Sequence, residues 1–196
     1  MTLEQKIDQI IGKYNLLNHP FYQAWSAGTL SEEKLSEYTK EYGTFIQLIA
    51  EGWGKAGYEK IQKVEEEHFL LWKDFAKSLG QDTIEQSIDE VGKLNKDCQS
   101  YFQNKVTALG ALLAFENQQP HTATSKLKGL RSHYEHLNAD ETYFEIHQND
   151  WDEPALLVEE IKSMNTENQA NSLEALEGTC QNLWNALTGI MGDVEC

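Results

Sequence analysis

Apolar residues return every three or four positions along nearly the whole chain, and nowhere do they alternate with the two-residue period of a strand. This pattern is the strongest constraint on the fold, because a helix with one apolar stripe must find partners that cover it. Residues 2–17 place Leu3, Ile7, Ile10, Ile11 and Tyr14 on one stripe, and Pro20 opens a short helix carrying Phe21, Tyr22 and Trp25. Ser31 or Thr29, with Glu32 and Glu33 in the first turn, starts a helix whose buried side is Leu35, Tyr38, Tyr42, Phe45, Ile46 and Ile49. Helices are also predicted over 58–79, stopped by Gly80, and over 83–103, 104–118, 121–136, 140–151, 154–163 and 168–190. Leu, Glu, Lys, Gln and Ala dominate and prolines number three, which favours helix throughout. The 196 residues are read as a single all-α domain, 1–196, forming a bundle of about seven helices.

The net charge of −16 argues against nucleic acid, since no Lys/Arg excess is available to replace phosphate counterions. Arg131 is the single arginine, which weakens any bidentate clamp on phosphate or carboxylate. No apolar run reaches the ~20 residues needed to cross a bilayer. The opening "MTLEQKIDQIIGKY" lacks the basic and apolar regions of a signal peptide, and Cys98, Cys180 and Cys196 form no CxxC pair. A cytoplasmic setting, with no membrane and no nucleic acid as partner, is expected.

Ionisable residues interrupt three apolar faces. In "YEKIQKVEEEHFLLWKDFAKSLG", Ile61, Val64, Leu71, Trp72, Phe75 and Leu79 define a core-facing side that contains His68. At ~100° per residue Glu65 lies ~60° from His68, whereas Glu66 points almost opposite. Glu65-x-x-His68 therefore presents a carboxylate and an imidazole together, the spacing by which bundles deliver two ligands to a metal. The alternative is a core histidine held by one hydrogen bond. Glu116 closes the most apolar helix, "ALGALLAFE". Either that helix surfaces there, as the following "NQQP" allows, or something positive meets the carboxylate inside, because an uncompensated buried charge costs several kcal/mol. In "TYFEIHQNDWDEP", His147 follows Tyr143 by one turn, with Asp150 and Glu153 at successive three-residue steps. Asp152 or Glu153 can instead cap the helix that Pro154 begins.

Together, Glu65, Glu116, Asp150 and Glu153 supply four negative charges beside His68 and His147. Two ferrous ions would neutralise them. Four carboxylates and two histidines form the inventory of di-iron carboxylate bundles, and the mixed O/N set suits iron or manganese.

With these motifs in place, the chain resembles the TenA/PqqC-type haem-oxygenase-like superfamily, and within it the non-haem di-iron oxidases, nearest the para-aminobenzoate-forming group. "NHPFYQAWSAGTLSEEKLSEYTKEY" resembles the family's N-terminal helix pair, "EEEHFLLWKDFAKSLG" its first metal helix, "FENQQPHTATSKLKGL" its second and "YFEIHQNDW" its third. The resemblance implies a haem-oxygenase-like helical bundle in which His68, Glu116 and His147 are metal ligands. It also implies a tyrosine of the protein consumed as substrate and a lysine giving up its amino group; Tyr22 and Tyr38 match the tyrosine positions and Lys126 the lysine. Taken on their residues alone, Tyr22 and Tyr38 also suit core aromatics, and Lys126 a solvated helix lysine. Three departures stand out. Phe115 replaces a tyrosine, Ile61 occupies the position of a glutamate so that Glu65 must substitute, and the usual H-x-x-x-D-x-x-H becomes His147, Asp150 and Glu153.

The leading expectation is a non-haem di-iron, or Fe/Mn, oxidase using O2 and an electron donor. Its substrate would be a small molecule or a side chain of its own, with Tyr38, Tyr42, Phe45, Phe115 and Tyr143 as pocket walls. No haem is expected, since His19 in "LNHPF" reads as a helix start. The alternatives are a TenA-like thiamin-fragment hydrolase, which needs a nucleophilic cysteine, and a catalytically inactive interaction module. In the last helix Leu173, Leu176, Leu183, Trp184, Leu187 and Ile190 suit core packing or a homodimer face.

Overall fold

A computed structural model describes residues 1–192, and among them every regular element is a helix. The ten α-helices are α1 (Leu3–Lys13), α2 (Pro20–Ala27), α3 (Glu32–Ala56), α4 (Glu59–Ser78), α5 (Asp89–Tyr101), α6 (Lys105–Glu116), α7 (Gln119–His133), α8 (Thr142–His147), α9 (Asp152–Lys162) and α10 (Thr166–Met191). Short 3-10 turns occupy Leu16–Asn18 and Glu135–Leu137. The bundle has more helices than the about seven expected.

Local chemistry sets most boundaries. Ser31 caps α3 by accepting from the Lys34 amide, and Glu32 and Glu33 complement the exposed N–H groups of its first turn. The helix runs through Gly52 and Gly54 and stops at Gly57, whose φ of 93° is the left-handed conformation that a side chain disfavours. His19 starts α2: its Nδ1 accepts from the Phe21 amide while its Nε2 reaches Thr188 Oγ1. The start of α5 is different. Residues 81–88, expected to be partly helical, carry no helix, and the chain entering α5 is fastened by Glu41 of α3. That buried carboxylate accepts from the Ser87 amide at 2.9 Å, the Ile88 amide at 3.1 Å and the Ser87 hydroxyl. No helical period reveals a cap supplied from 46 residues away.

The core is one continuous apolar cluster drawing on every helix except α8's outer face and the exposed side of α4. α6 is buried over Ala108–Glu116 and packs most extensively against α10, where Leu176, Leu183, Leu187 and Ile190 are buried in the chain's own interior. Gly110 allows this approach: a Cβ there would overlap the Ser172 carbonyl. α3 lies along α4, and α8 packs against both α4 and α7. The face of α4 is rotated from the expected one. Val64 is 44% exposed, while Glu65, His68, Trp72 and Phe75 are buried. Its two ionisable groups therefore sit at the centre of the buried stripe. None of the described helices is long and apolar enough to cross a membrane.

Candidate metal centre

α4 and α8 bring three of the six expected ligands within coordinating reach of one another, while Glu116 of α6, Asp150, and Glu153 of α9 are acidic neighbours outside that group. Glu65, His68 and His147 are all buried and offer ligand atoms within 4.8 Å of one another. His68 Nδ1 lies 2.9 Å from Glu65 Oε1, and the two imidazole rings meet edge to face at 4.5 Å. His147 Nδ1 lies 2.6 Å from the Tyr143 carbonyl, which can only accept, so Nδ1 carries the proton. Nε2 is then a bare lone pair, and among the described residues it has no hydrogen-bond partner. Burial holds the ring neutral, with its pKa pushed down to about 3 against the opposing hydrogen bond to Tyr143. For His68, burial acts downwards, but the hydrogen bond and charge of Glu65 outweigh it and raise the pKa.

Glu116 does not surface. It is 3% exposed although it ends α6, because Gln118, Gln119 and Pro120 are buried beyond it. Among the described residues no lysine or arginine pairs with it; its donor is the indole of Trp53, 3.1 Å from Oε1. Its nearest charged neighbours are acids. Burial, then Glu153 and Glu65, hold its carboxyl well above the ordinary range. Burial, with the charges of Glu65 and Asp150, pushes Glu153 up to about 8. Buried acids that repel one another in this way need a proton or a cation among them. Asp150 is half-buried at the rim, raised mainly by burial and opposed by His68. Neither Asp152 nor Glu153 caps α9: Trp151 holds the cap position, and no side-chain cap bond is present.

Tyr22, Tyr38 and Lys126 form a second cluster. Lys126 is 2% exposed, not solvated, and its Nζ lies 5.4 Å from the Tyr22 ring centre and 5.3 Å from that of Tyr38. Trp72 and Phe144 face the same amine at 5.9 and 5.2 Å. No salt bridge reaches it among the described residues, and burial alone pushes its pKa down to about 7. The Tyr38 hydroxyl is buried without a partner and stacks its ring on Tyr42. The two clusters are linked through Tyr143, which contacts Trp72 and Phe144 and lies against His147 with ring centres 4.1 Å apart. Phe45 and Phe115, expected as pocket walls, pack edge to face on each other.

Trp53 and Gln119 escape the sequence reading. Gln119 donates to the Tyr143 hydroxyl at 2.8 Å and so orients the ring beside His147. Neither residue breaks an apolar pattern, so neither leaves a signal before the helices are packed. Cys98 and Cys180 are buried and pushed up to about 12 by burial, the reverse of what a nucleophilic thiol needs; Cys196 lies outside the described residues.

No family model matches the chain. The fold is the haem-oxygenase-like helical fold. A TenA homologue from Pseudomonas syringae superposes with a TM-score of 0.79 at 13% identity, covering 96% of this chain and 92% of that one. A Shewanella denitrificans domain of unknown function with a haem-oxygenase-like fold gives 0.76 at 18%, covering 96% and 90%. In sequence, the chain resembles the para-aminobenzoate group. It is 29% identical to the 4-aminobenzoate synthase of Nitrosomonas europaea, over 96% of this chain and 91% of the relative, and 26% identical to that of Chlamydia pneumoniae, over 96% and 95%.

Proposed function

We propose that this chain is an O2-dependent metallo-oxidoreductase of the para-aminobenzoate group, holding two iron ions, or iron and manganese, on Glu65, His68, Glu116, His147, Asp150 and Glu153. One observation carries the reading: the His147 Nε2 lone pair is buried and unpartnered beside Glu65 and His68. A buried polar atom left unmade costs about 1–3 kcal/mol, and a cation is the partner this donor set would accept. Glu116 and Glu153 support it, since a cation would replace the protons that otherwise hold these buried acids neutral. Reduced iron, when bound, supplies the electrons that activate dioxygen.

The chain's own residues do the rest. Tyr143 fixes the tautomer of His147, and Trp53 orients Glu116. Burial keeps a fraction of Lys126 as neutral amine near neutral pH, with a lone pair free to transfer nitrogen. Its position against the Tyr22 and Tyr38 rings supports the lysine as amino donor and one of these tyrosines as the source of the aromatic ring, as the resemblance implies. The electron donor is a separate reductant. The deciding experiment labels the protein with ring-13C tyrosine and ε-15N lysine, loads it with ferrous ion, and adds reductant and air. Para-aminobenzoate carrying both labels is expected; absence of iron uptake, or unlabelled product, would refute the proposal.

A further inference from the structure

A chain of aromatic side chains leads from the acid cluster to the surface, away from the lysine pocket. Trp53 is fully buried in the last turns of α3, and its indole N–H donates to Glu116 Oε1 at 3.1 Å. Its ring meets Tyr58 edge to face, with ring centres 5.5 Å apart at 89°. Tyr58 is only partly buried, at the turn between α3 and α4. The Glu160 carboxylate of α9 lies nearby: Lys105 sits over the Tyr58 ring at 5.6 Å while pairing with Glu160 at 3.3 Å. An indole bonded to a buried carboxylate, in contact with a part-buried phenol that has a carboxylate nearby at the surface, has the parts needed to move one electron at a time.

The geometry points to Trp53 and Tyr58 as a one-electron route between solvent and the metal centre, with Glu160 as the proton acceptor for the phenol. This inference rests on the function proposed above, which needs external electrons. The terminal oxidant is dioxygen, and the reductant is a one-electron carrier in solution. With metal bound, an electron passing inwards from Trp53 would leave the indole as a radical cation that keeps its N–H on Glu116. Tyr58 would then return the electron to Trp53, its phenolic proton passing to Glu160. The carrier finally reduces Tyr58, and Glu160 gives the proton back. One electron has moved inwards and no proton is gained or lost.

The test uses the full chain containing ring-deuterated tyrosine, loaded with ferrous ion under nitrogen, mixed with air without reductant and frozen for electron paramagnetic resonance. Iron content is measured first. A tyrosyl radical narrowed by the deuteration is expected, lost in Tyr58→Phe with iron content unchanged, and diminished in Glu160→Gln. Tyr58→Phe keeps the ring and its contact with Trp53, so it separates the route from folding. Iron uptake with a radical signal untouched by Tyr58→Phe, or with no radical in the wild type, would overturn the route while leaving the proposed function standing. Failure to take up iron would take down both.

Discussion

His147 donates its Nδ1 proton to the carbonyl of Tyr143 one turn earlier on α8, 2.6 Å away, and this leaves Nε2 bare inside the protein. A site poised for a cation is a weak point without one. His147→Leu is expected to raise the stability of the metal-free protein by about 1 kcal/mol, read by urea unfolding, because it removes an unpartnered buried atom. It is also expected to abolish iron uptake and the rise in Tm that ferrous ion gives the wild type. A destabilised Leu variant that still binds iron would contradict this.

The Glu116–Glu153 pair predicts an unusual pH dependence. Glu153 is raised in the folded state from an ordinary value of 4.5 to about 8, so between these values the native chain binds more protons than the unfolded one. Stability of the metal-free protein should therefore be full below pH 4.5 as far as this group is concerned, and fall as pH rises towards 8. Glu153→Gln should flatten that fall. Thermal melts of both proteins across this range decide it.

Lys126 predicts the opposite slope. Its pKa is lowered from 10.5 to about 7, so the unfolded chain binds the extra proton between those values and stability rises with pH across them. Product formation should rise through about pH 7 as the amine becomes neutral. Lys126→Met, similar in length and free of charge, is expected to fold at least as stably and to form no product. Retained product would show that the nitrogen comes from elsewhere.

Gly110→Ala tests the packing that seats Glu116. The added methyl collides with the Ser172 backbone, which cannot swing aside as a side chain would. A loss of about 3 kcal/mol in urea unfolding is expected, with weakened iron binding because α6 is displaced from α10. A neutral substitution would mean that the two helices are not in contact as described.

Much of the fold was legible because helix formation and capping are local. The period of apolar residues marked the helical character of the chain, though it counted about seven helices where there are ten, and Ser31, Gly57 and Gly80 lie at helix ends. The long α10 stripe was legible as apolar, but whether it faced the chain's own core or a second copy was not. The candidate site was legible in part for a related reason: an acid or histidine inside an apolar stripe is visible without knowing what the stripe touches.

What the amino-acid order determined alone, then, is which residues are helical and which ionisable groups share a face with core residues, since both follow from near neighbours at 3.6-residue spacing. Only the packing decided how far each face is turned: it exposed Val64 and centred Glu65 and His68. Packing also buried Lys126 among five aromatic rings, set Trp53 against Glu116, and sent Glu41 to hold the entry to α5. These relationships join residues far apart in the chain. A periodicity confined to one helix carries no information about where that helix crosses another, and burial, proton affinity and the choice of hydrogen-bond partner are all settled at the crossings.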